Sequence, residues 1–531
     1  MTQPSYDLLR EPWISVVRAD GSFDTLGLRE VLFQAHKLRA VSGETSVVTA
    51  AIYRLLLAVL YAALGMPNSD AWEDIWAQGR FPADRLEAYL NRWSDRFNLF
   101  HPERPFFQWF DDRVHTKSII NLVLHMASGN NATLFDHHHE GQDVALAPAE
   151  AARSLLAEQA FGLGGLSGLP QKFTDAPWAR GVIFLAEGMT LFETLMFNYL
   201  PERHWSTVPF SNPEVDRAFW EADNPLIPER NRPLGVKDYL TWPNRLIWLF
   251  PELDPDGRWR IRQVTRAPGL TLTKDSLRDP YKHYRMSRQS GYTELRFQED
   301  RALWRDSVSL LQLQTDDHWP PRPVAWLSDL STGELLPGEA RLRLTALGMA
   351  TDQSKIDFFR EEHFPLPQDY LREPKRVNDL SLALSLAEQV GEKLGQALYR
   401  LATLLLSPGA EDPNGRRPER NEVNNLVGHW GALRSYWSAL EVPFHQLVVD
   451  LPARGREALE SWRAEVERVA RHAFDQAIHS LGETPRVLKA ATRAEVQLRG
   501  ALRCVFHPED ERCKERASRR KGARSRRRST S

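Results

Sequence analysis

The last third of the chain repeats the hydrophobic spacing of an amphipathic helix through four successive segments. The segments span residues 379–406, 421–440, 455–481 and 485–503, and in each of them apolar side chains recur three or four residues apart. Such a spacing places the apolar side chains on one face of a helix, and that face must be covered by another element. Because the connections are short, four such helices can cover one another in antiparallel order. The sequence therefore predicts a four-helix bundle at residues 374–506.

The residues before 374 show a mixture of helix and strand signals. An Asp20-Gly21 turn between two alternating runs is typical of a β-hairpin. The run Ser46–Leu64 is apolar almost all round, which indicates a helix buried inside a large domain. A strand leading into a helix is predicted at 180–200, and two strands at 324–349 around a turn at 331–333. We therefore predict an α+β protein, with a large mixed α/β domain at 1–373 followed by the bundle at 374–506.

The C-terminal segment 507–531 is predicted to be a disordered basic tail. Residues 514–531 contain nine Lys or Arg and one acid, whereas the whole chain of 531 residues has a formal charge of −2. The remainder of the chain is therefore acidic, with a formal charge of about −10. An acidic protein does not coat nucleic acid generally, so any binding to nucleic acid must be local.

Two cysteines, Cys504 and Cys513, are too few for a disulfide-rich scaffold or a thiolate zinc site. A free pair of this kind is typical of a reducing compartment. The N-terminus has no signal-peptide pattern, and no apolar run is expected to reach the length of a membrane span. The sequence therefore predicts a cytoplasmic protein with no membrane partner.

Four glycines lie within seven residues in the sequence GLGGLSG, at Gly162, Gly164, Gly165 and Gly168. Glycine clusters occur where the backbone needs positive φ or close approach to another molecule, and a bare backbone suits the groove of a nucleic acid. The alternative is a flexible hairpin or a helix-capping loop. The pattern matches neither GxGxxG after a strand nor GxxxxGK[ST], which argues against Rossmann or P-loop nucleotide binding.

A run of three histidines, His137–His139, is followed by Glu140 and raises the possibility of a metal-dependent hydrolase or nuclease. Consecutive histidines point in different directions, whereas a helical metal site prefers a spacing of four residues, so a loop that orders on binding is favoured. Nucleophile-elbow, zincin, Walker and C-x-x-C patterns are absent from the sequence, so neither catalysis nor a cofactor is expected. A third alternative is a generic RNA-binding scaffold, which would need only the tail and the basic, aromatic segment 260–305.

Five short motifs, each occurring once, are distributed over nearly the whole chain, and their order and spacing are informative. By these motifs the chain resembles the CasA family, the large subunit of the type I-E CRISPR surveillance complex, Cascade. The motifs are LLREPWISV at 8–16, HPERPFFQ at 101–108, SGNNATLF at 128–135, GLGGLSG at 162–168 and LGMATDQSKI at 347–356.

The resemblance implies a non-catalytic DNA-recognition subunit of an RNA-guided antiviral complex. Such a subunit recognises the protospacer-adjacent motif (PAM) in double-stranded DNA, starts strand separation and R-loop formation, and recruits the helicase-nuclease that degrades the target. Its implied partners are the backbone and small subunits of Cascade, the 5′ end of the guide RNA, the target duplex and the helicase-nuclease. The protein would read the PAM while base pairing reads the rest of the sequence.

The resemblance also assigns roles to individual residues. The family's PAM-contacting lysine falls near Leu270 in this sequence, so Lys274 is at best a displaced substitute, and 246–264 lacks the cysteine cluster of some relatives. The other matches are Asn130, Asn131 and Phe135 in the loop that docks at the guide RNA, Gly162, Leu163, Gly164 and Gly165 in the minor-groove loop, and Asp352, Gln353 and Ser354 in the wedge hairpin.

Overall fold

The chain forms two compact units. The first consists of Met1–Leu303 and Ser309–Arg372, and the second of Trp304–Val308 and Glu373–Ser531. The computed structural model describes residues 3–126, 144–205, 210–273, 278–289, 291–312, 315, 317–338, 340–352, 354–410, 415–511 and 513.

The strands of the described residues all belong to the first unit and pair in antiparallel fashion. They are β1 (Ile14–Arg18), β2 (Phe23–Leu26), β3 (Leu38–Val41), β4 (Lys117–Ser118), β5 (Ile183–Glu187), β6 (Arg245–Leu253), β7 (Trp259–Pro268), β8 (Tyr284–Ser287), β9 (Gly291–Glu294), β10 (His318–Trp319), β11 (Arg343–Asp352) and β12 (Lys355–Pro365). They form three-stranded sheets with the orders β2-β1-β3, β4-β7-β6, β10-β8-β9 and β12-β11-β5.

Several helices pack against these sheets. Those before residue 373 are α1 (Leu28–Phe33), α2 (Ser46–Leu64), α3 (Ser69–Gln78), α4 (Ala83–Arg92), α5 (Pro148–Phe161), α6 (Leu191–Asn198), α7 (Glu202–Trp205), α8 (Val236–Leu240), α9 (Ser307–Leu311), α10 (Arg322–Thr332) and α11 (Gln368–Arg372). Among them, α2 packs against β11 and α6 against β5. The predicted mixed α/β character of this region is confirmed.

Helix α2 is the central core helix of the first unit. The Thr45 hydroxyl caps its start by accepting a hydrogen bond from the Val48 N–H, and Gly65 ends it with a φ of 78°. An 18-residue window of this 19-residue helix has a mean hydropathy of 2.1, so the expectation that no apolar run reaches the length of a membrane span was wrong. However, 89% of the apolar window is buried within the protein. Packing in the core therefore accounts for its composition.

Two of the predicted local structures are present, and one was wrong. Strands β1 and β2 pair around Gly21, whose φ is +84°, and β5 leads into α6 as predicted for 180–200. The strand predicted at the start of 324–349 is instead helix α10, because Val324, Leu327 and Leu330 are buried on one helical face. The second predicted strand of that range is β11.

The sheet β12-β11-β5 and the hairpin β6-β7 position the candidate site. Strand β11 pairs with β5 on one side and with β12 on the other, where the register runs from Arg343 opposite Pro365 to Asp352 opposite Lys355. The glycine-rich segment follows α5, which packs against α2, β6 and β7. The glycine-rich segment and the β11-β12 hairpin are thus both attached to packed elements of the first unit.

The second unit is helical. Its helices are α12 (Pro374–Leu406), α13 (Arg420–Trp430), α14 (Ala432–Arg454), α15 (Arg456–His479) and α16 (Pro485–Phe506). The four long helices form a bundle in which α12 packs against α14, α15 and α16, and α14 packs against α15. The segment predicted as one helix at 421–440 is interrupted at Gly431, whose φ is +62°, and the helix that follows continues through Pro443 and Pro452.

A short segment distant in sequence, Trp304–Val308, belongs to the second unit. The Trp304 ring lies 4.7 Å from the ring of Phe444, and the Arg305 guanidinium lies 3.6 Å from the ring of Trp437. Arg305 also binds the Glu388 carboxylate at 2.7 Å. These aromatic and ionic contacts explain why the segment belongs to the second unit. The predicted division at residue 373 had placed the segment in the first domain.

The chain remains structured beyond α16. Cys504 and Cys513 form a disulfide bond, so the prediction of a free pair was wrong, and the pair no longer argues for a reducing compartment. Arg503 binds the Asp510 carboxylate at 2.6 Å. These contacts give structure to residues that the predicted disordered tail at 507–531 included, while 514–531 lie outside the described residues. The cytoplasmic location stays a prediction.

Candidate functional site

The glycine-rich segment leaves the C-terminal end of α5 and turns back on itself. Gly162 is the C-cap of α5, and its carbonyl accepts a hydrogen bond from the Ala176 N–H at 2.9 Å. Further out, Gly165 and Phe173 form an antiparallel bridge, in which each N–H donates to the carbonyl of the other at 3.1 and 2.9 Å. Residues 162–176 therefore form a closed loop, which we call the glycine loop.

A buried ion pair in the core contacts the glycine loop and stabilises it. Arg245, the first residue of β6, binds Glu158 of α5 at 3.2 Å, and both side chains are almost completely buried. The same guanidinium donates to the carbonyls of Leu163 and Thr174 at 2.9 and 2.8 Å and lies 4.7 Å from the ring of Phe173. Arg245 therefore fixes both ends of the loop, at Leu163 and at Thr174.

Arg245 remains charged at neutral pH. Burial lowers the pKa of its guanidinium to about 10, against the opposing attraction of Glu158. Arg266 of β7 also binds the Glu158 carboxylate, at 2.7 Å, and is partly exposed. One buried carboxylate is therefore shared between two guanidinium groups, of which Arg245 is the more deeply buried.

A second anchor fixes the outer part of the loop. The Asp175 carboxylate accepts a hydrogen bond from the Gly164 N–H at 2.7 Å and forms an ion pair with Arg180 at 3.0 Å. Burial raises the pKa of Asp175, but the hydrogen bonds from Arg180 and Gly164 outweigh that effect and hold it below the usual value. Asp175 is therefore ionised in the folded protein at neutral pH.

The glycines of the loop have different surroundings. A Cβ atom at Gly162 would lie 2.6 Å from the Glu158 carbonyl oxygen, and one at Gly164 would lie 3.2 Å from the Phe173 carbonyl oxygen. A Cβ atom at Gly165 would have no heavy atom within 4 Å. Gly162 is therefore required by the packing below it, whereas Gly165 presents bare backbone to open space. Leu163, between them, is half-buried.

The tip of the β11-β12 hairpin contacts the glycine loop. Ser354 donates a hydrogen bond from its hydroxyl to the Gly164 carbonyl at 2.9 Å, although the two residues are 190 positions apart in sequence. Asp352 pairs with Lys355 across the hairpin tip. The structure thus brings together two of the segments that the sequence singled out, the glycine loop and the residues that flank Gln353.

The glycine loop and the hairpin tip line one cleft, with a volume of about 600 Å³. Residues of the segment 117–124 also line it. Two lysines, Lys117 and Lys355, are exposed at this cleft, and neither forms an ion pair with any residue that the structure describes. A cleft with bare backbone and unpaired lysines suits a polyanion, because phosphates attract cations while a groove needs a surface without bulky side chains.

Several predicted site residues cannot be placed. They are Asn130, Asn131, Phe135, the run His137–His139 with Glu140, Lys274 and Gln353, all of which lie outside the described residues. Among the residues that the structure does describe, no group of three or more His, Cys, Asp or Glu side chains is arranged to hold a metal ion.

Sequence reasoning missed the residues that support the loop. Arg245, Phe173 and Asp175 lie in no recognisable motif, and Arg245 is more than 80 residues from the glycine that follows α5. The usable signal was a charged residue, Glu158, in the otherwise uncharged stretch SLLAEQAF at 154–161, which implies a buried partner of opposite charge.

Comparison with known proteins gives consistent matches over most of the chain. The family model described as CRISPR-associated protein Cse1 matches residues 7–473. A CRISPR-associated protein CasA/Cse1 from Thermus thermophilus is 34% identical over 511 residues, which cover 92% of this chain and 96% of that protein.

Solved structures agree. The crystal structure of CasA from Thermus thermophilus is similar with a TM-score of 0.76 at 29% identity, covering 94% of this chain and 99% of that one. A chain of a structure described as a CRISPR RNA-guided surveillance complex is similar with a TM-score of 0.72 at 26% identity, covering 93% and 99%. The similarity therefore extends over both compact units.

Proposed function

The chain belongs to the CRISPR-associated Cse1 (CasA) family, and from that membership we propose that it recognises the PAM of a target duplex and starts its unwinding. As a Cse1/CasA protein it is a subunit of a CRISPR RNA-guided surveillance complex. In this proposal the glycine loop contacts the minor groove and the β11-β12 hairpin tip separates the strands. The open site is then presented to a helicase-nuclease, while guide RNA pairing reads the sequence.

The observation that carries the proposal is the hydrogen bond between Ser354 and the Gly164 carbonyl. It couples the segment proposed to read the groove with the segment proposed to open the duplex, so that contact with DNA by one positions the other. The minor groove is about 6 Å wide, which favours the bare backbone at Gly165 over any side chain. Lys117 and Lys355 supply positive charge beside both segments.

The remaining roles are proposed on family membership. Asn130, Asn131 and Phe135 would dock at the guide RNA 5′ end and the neighbouring backbone subunit, and Lys274 is a proposed, displaced PAM contact. Neither a cofactor nor catalysis by this subunit is part of the proposal. Because readout of the minor groove is degenerate, the PAM has to be determined by selection from a randomised duplex library.

The hairpin assignment predicts a selective defect. Replacing both Gln353 and Ser354 by glycine removes the side chains proposed to enter the duplex, and it also removes the hydrogen bond to Gly164. Unstacking a base step costs a few kcal/mol. Complexes that carry the double variant should therefore bind a fully paired target on the order of tenfold more weakly, and a target with pre-melted base pairs beside the PAM nearly as well as the parent. Equal losses on the two targets, in mobility-shift titrations at one salt concentration, would contradict the assignment.

The alternative function, a metal-dependent hydrolase or nuclease that uses His137–His139 and Glu140, predicts a different result. A hydrolase would bind a stoichiometric transition metal and cleave DNA in a reaction that chelators stop. We expect elemental analysis of the purified chain to find no stoichiometric zinc, manganese or iron, and we expect no cleavage with Mg²⁺, Mn²⁺ or Zn²⁺ added. Cleavage that a His138→Ala substitution abolishes would favour the hydrolase instead.

A further inference from the structure

Leu166 is the most exposed large hydrophobic side chain among the residues that the structure describes. Its exposed fraction is 87%, compared with 76% for Val442 and 75% for Phe23. It directly follows Gly165, at the outer edge of the glycine loop, and lines the cleft together with the hairpin tip. Single exposed apolar residues are ordinary on protein surfaces, so the surroundings of Leu166 determine whether it has a role.

The backbone on both sides of Leu166 is fixed. On one side, Gly165 makes two backbone hydrogen bonds with Phe173. On the other side, Ser167 is buried, and its hydroxyl bonds to the Gln171 carbonyl and accepts from the Leu169 N–H at 3.0 Å. Leu166 cannot turn into the protein without loss of these hydrogen bonds. The loop therefore holds the leucine out in the cleft, and little further ordering is needed on binding.

The chemistry of a projecting leucine differs from that of a glutamine or serine. A polar tip that enters a base stack loses its hydrogen bonds to water, whereas an apolar side chain gains by leaving water. Proteins that bind the minor groove frequently insert leucine, isoleucine, methionine or phenylalanine between base steps, which partly unstacks them and kinks the duplex. A bare backbone followed at once by an exposed leucine fits that mode of binding.

We propose that Leu166 enters the minor groove beside the glycine loop and partly unstacks a base step of the target duplex. This inference rests on the proposed function, since it assumes that the glycine loop lies in the groove. It adds an apolar wedge beside the hairpin tip, whose Ser354 hydroxyl bonds to the Gly164 carbonyl two residues before Leu166. Duplex opening would then use two adjacent wedges in the same cleft, one apolar and one polar.

The test compares Leu166→Ala with Leu166→Met in the assembled complex. The alanine variant should bind a fully paired PAM duplex on the order of tenfold more weakly, and the methionine variant should bind within about twofold of the parent because its side chain is similar in volume and flexible. Binding to a single-stranded target should be unchanged in both. Unstacking increases the fluorescence of 2-aminopurine, so with this base beside the PAM the rise on binding should be smaller for Leu166→Ala and preserved for Leu166→Met. The matched control is Leu253→Ala, which truncates a leucine that is 51% exposed at the end of β6.

Other outcomes would overturn the inference. If Leu166→Ala binds the paired duplex as tightly as the parent, or loses affinity equally for paired and single-stranded targets, the leucine does not unstack DNA. If the variant instead fails to assemble with the other subunits, Leu166 is a protein contact. Failure of the proposed function is separate, because Gly165→Asp would then also leave duplex binding intact. A defect in Gly165→Asp without one in Leu166→Ala would refute this inference alone.

Discussion

Gly165→Asp is expected to weaken binding of the assembled complex to a PAM-containing duplex by about 1–3 kcal/mol, or roughly five- to 150-fold. The new side chain would project into open space, where a Cβ atom has no neighbour within 4 Å. It would place bulk and a negative charge where the proposal puts the minor groove and its phosphates. Affinity for a single-stranded target that pairs with the guide should change little, and mobility-shift titrations on the two substrates at one salt concentration measure the difference.

Two further variants of the loop separate binding from folding. Gly165→Ala adds only a methyl group in open space and should leave the unfolding midpoint unchanged. Gly162→Ala should destabilise the protein by about 1–3 kcal/mol, because its Cβ atom would lie 2.6 Å from the Glu158 carbonyl oxygen. If Gly165→Asp binds the PAM duplex as tightly as the parent, the glycine loop is only a turn and the proposed function loses its main support.

The sequence located the glycine loop but not the part that each glycine plays. Clustered glycines indicate close approach of the backbone to something, and at Gly162 that neighbour is the protein itself, the Glu158 carbonyl beneath the loop. Only the three-dimensional placement of Glu158, Arg245 and Asp175 distinguishes Gly162 and Gly164 from Gly165. Contacts between residues so far apart in sequence leave no local pattern to read.

The predictions of the fold succeeded where the periodic apolar pattern extended over many residues and failed where the apolar run was short. The periodic runs of the second unit predicted its long helices, although the helix predicted to end at residue 440 continues through Pro443 to Arg454 as α14. The strand predicted at the start of 324–349 failed because a short apolar run fits either period, and its helical face becomes evident only from what buries Leu327 and Leu330.

Arg245→Met is expected to have the largest effect on the fold of the site. The substitution keeps most of the side-chain volume but leaves Glu158 with Arg266 as its remaining ionic partner. It also removes the hydrogen bonds that hold the carbonyls of Leu163 and Thr174. Removing one partner of a buried ion pair typically costs about 3–5 kcal/mol, because the other charge stays buried without full compensation. We expect a loss near the lower end of that range, since Arg266 still neutralises part of the charge.

The measurement is the urea unfolding midpoint of the purified chain, compared among variants under identical conditions. Arg262→Met is the matched control, because Arg262 lies on β7 and binds Glu252 in a pair whose side chains are 32% and 52% exposed, whereas the Arg245–Glu158 pair is buried. Such exposed pairs contribute about 1 kcal/mol or less. Complexes with Arg245→Met should also lose affinity for the paired PAM duplex, as is expected for Gly165→Asp, because the glycine loop has lost the guanidinium that binds both of its ends. A midpoint for Arg245→Met equal to that for Arg262→Met would show that the buried pair does not support the loop.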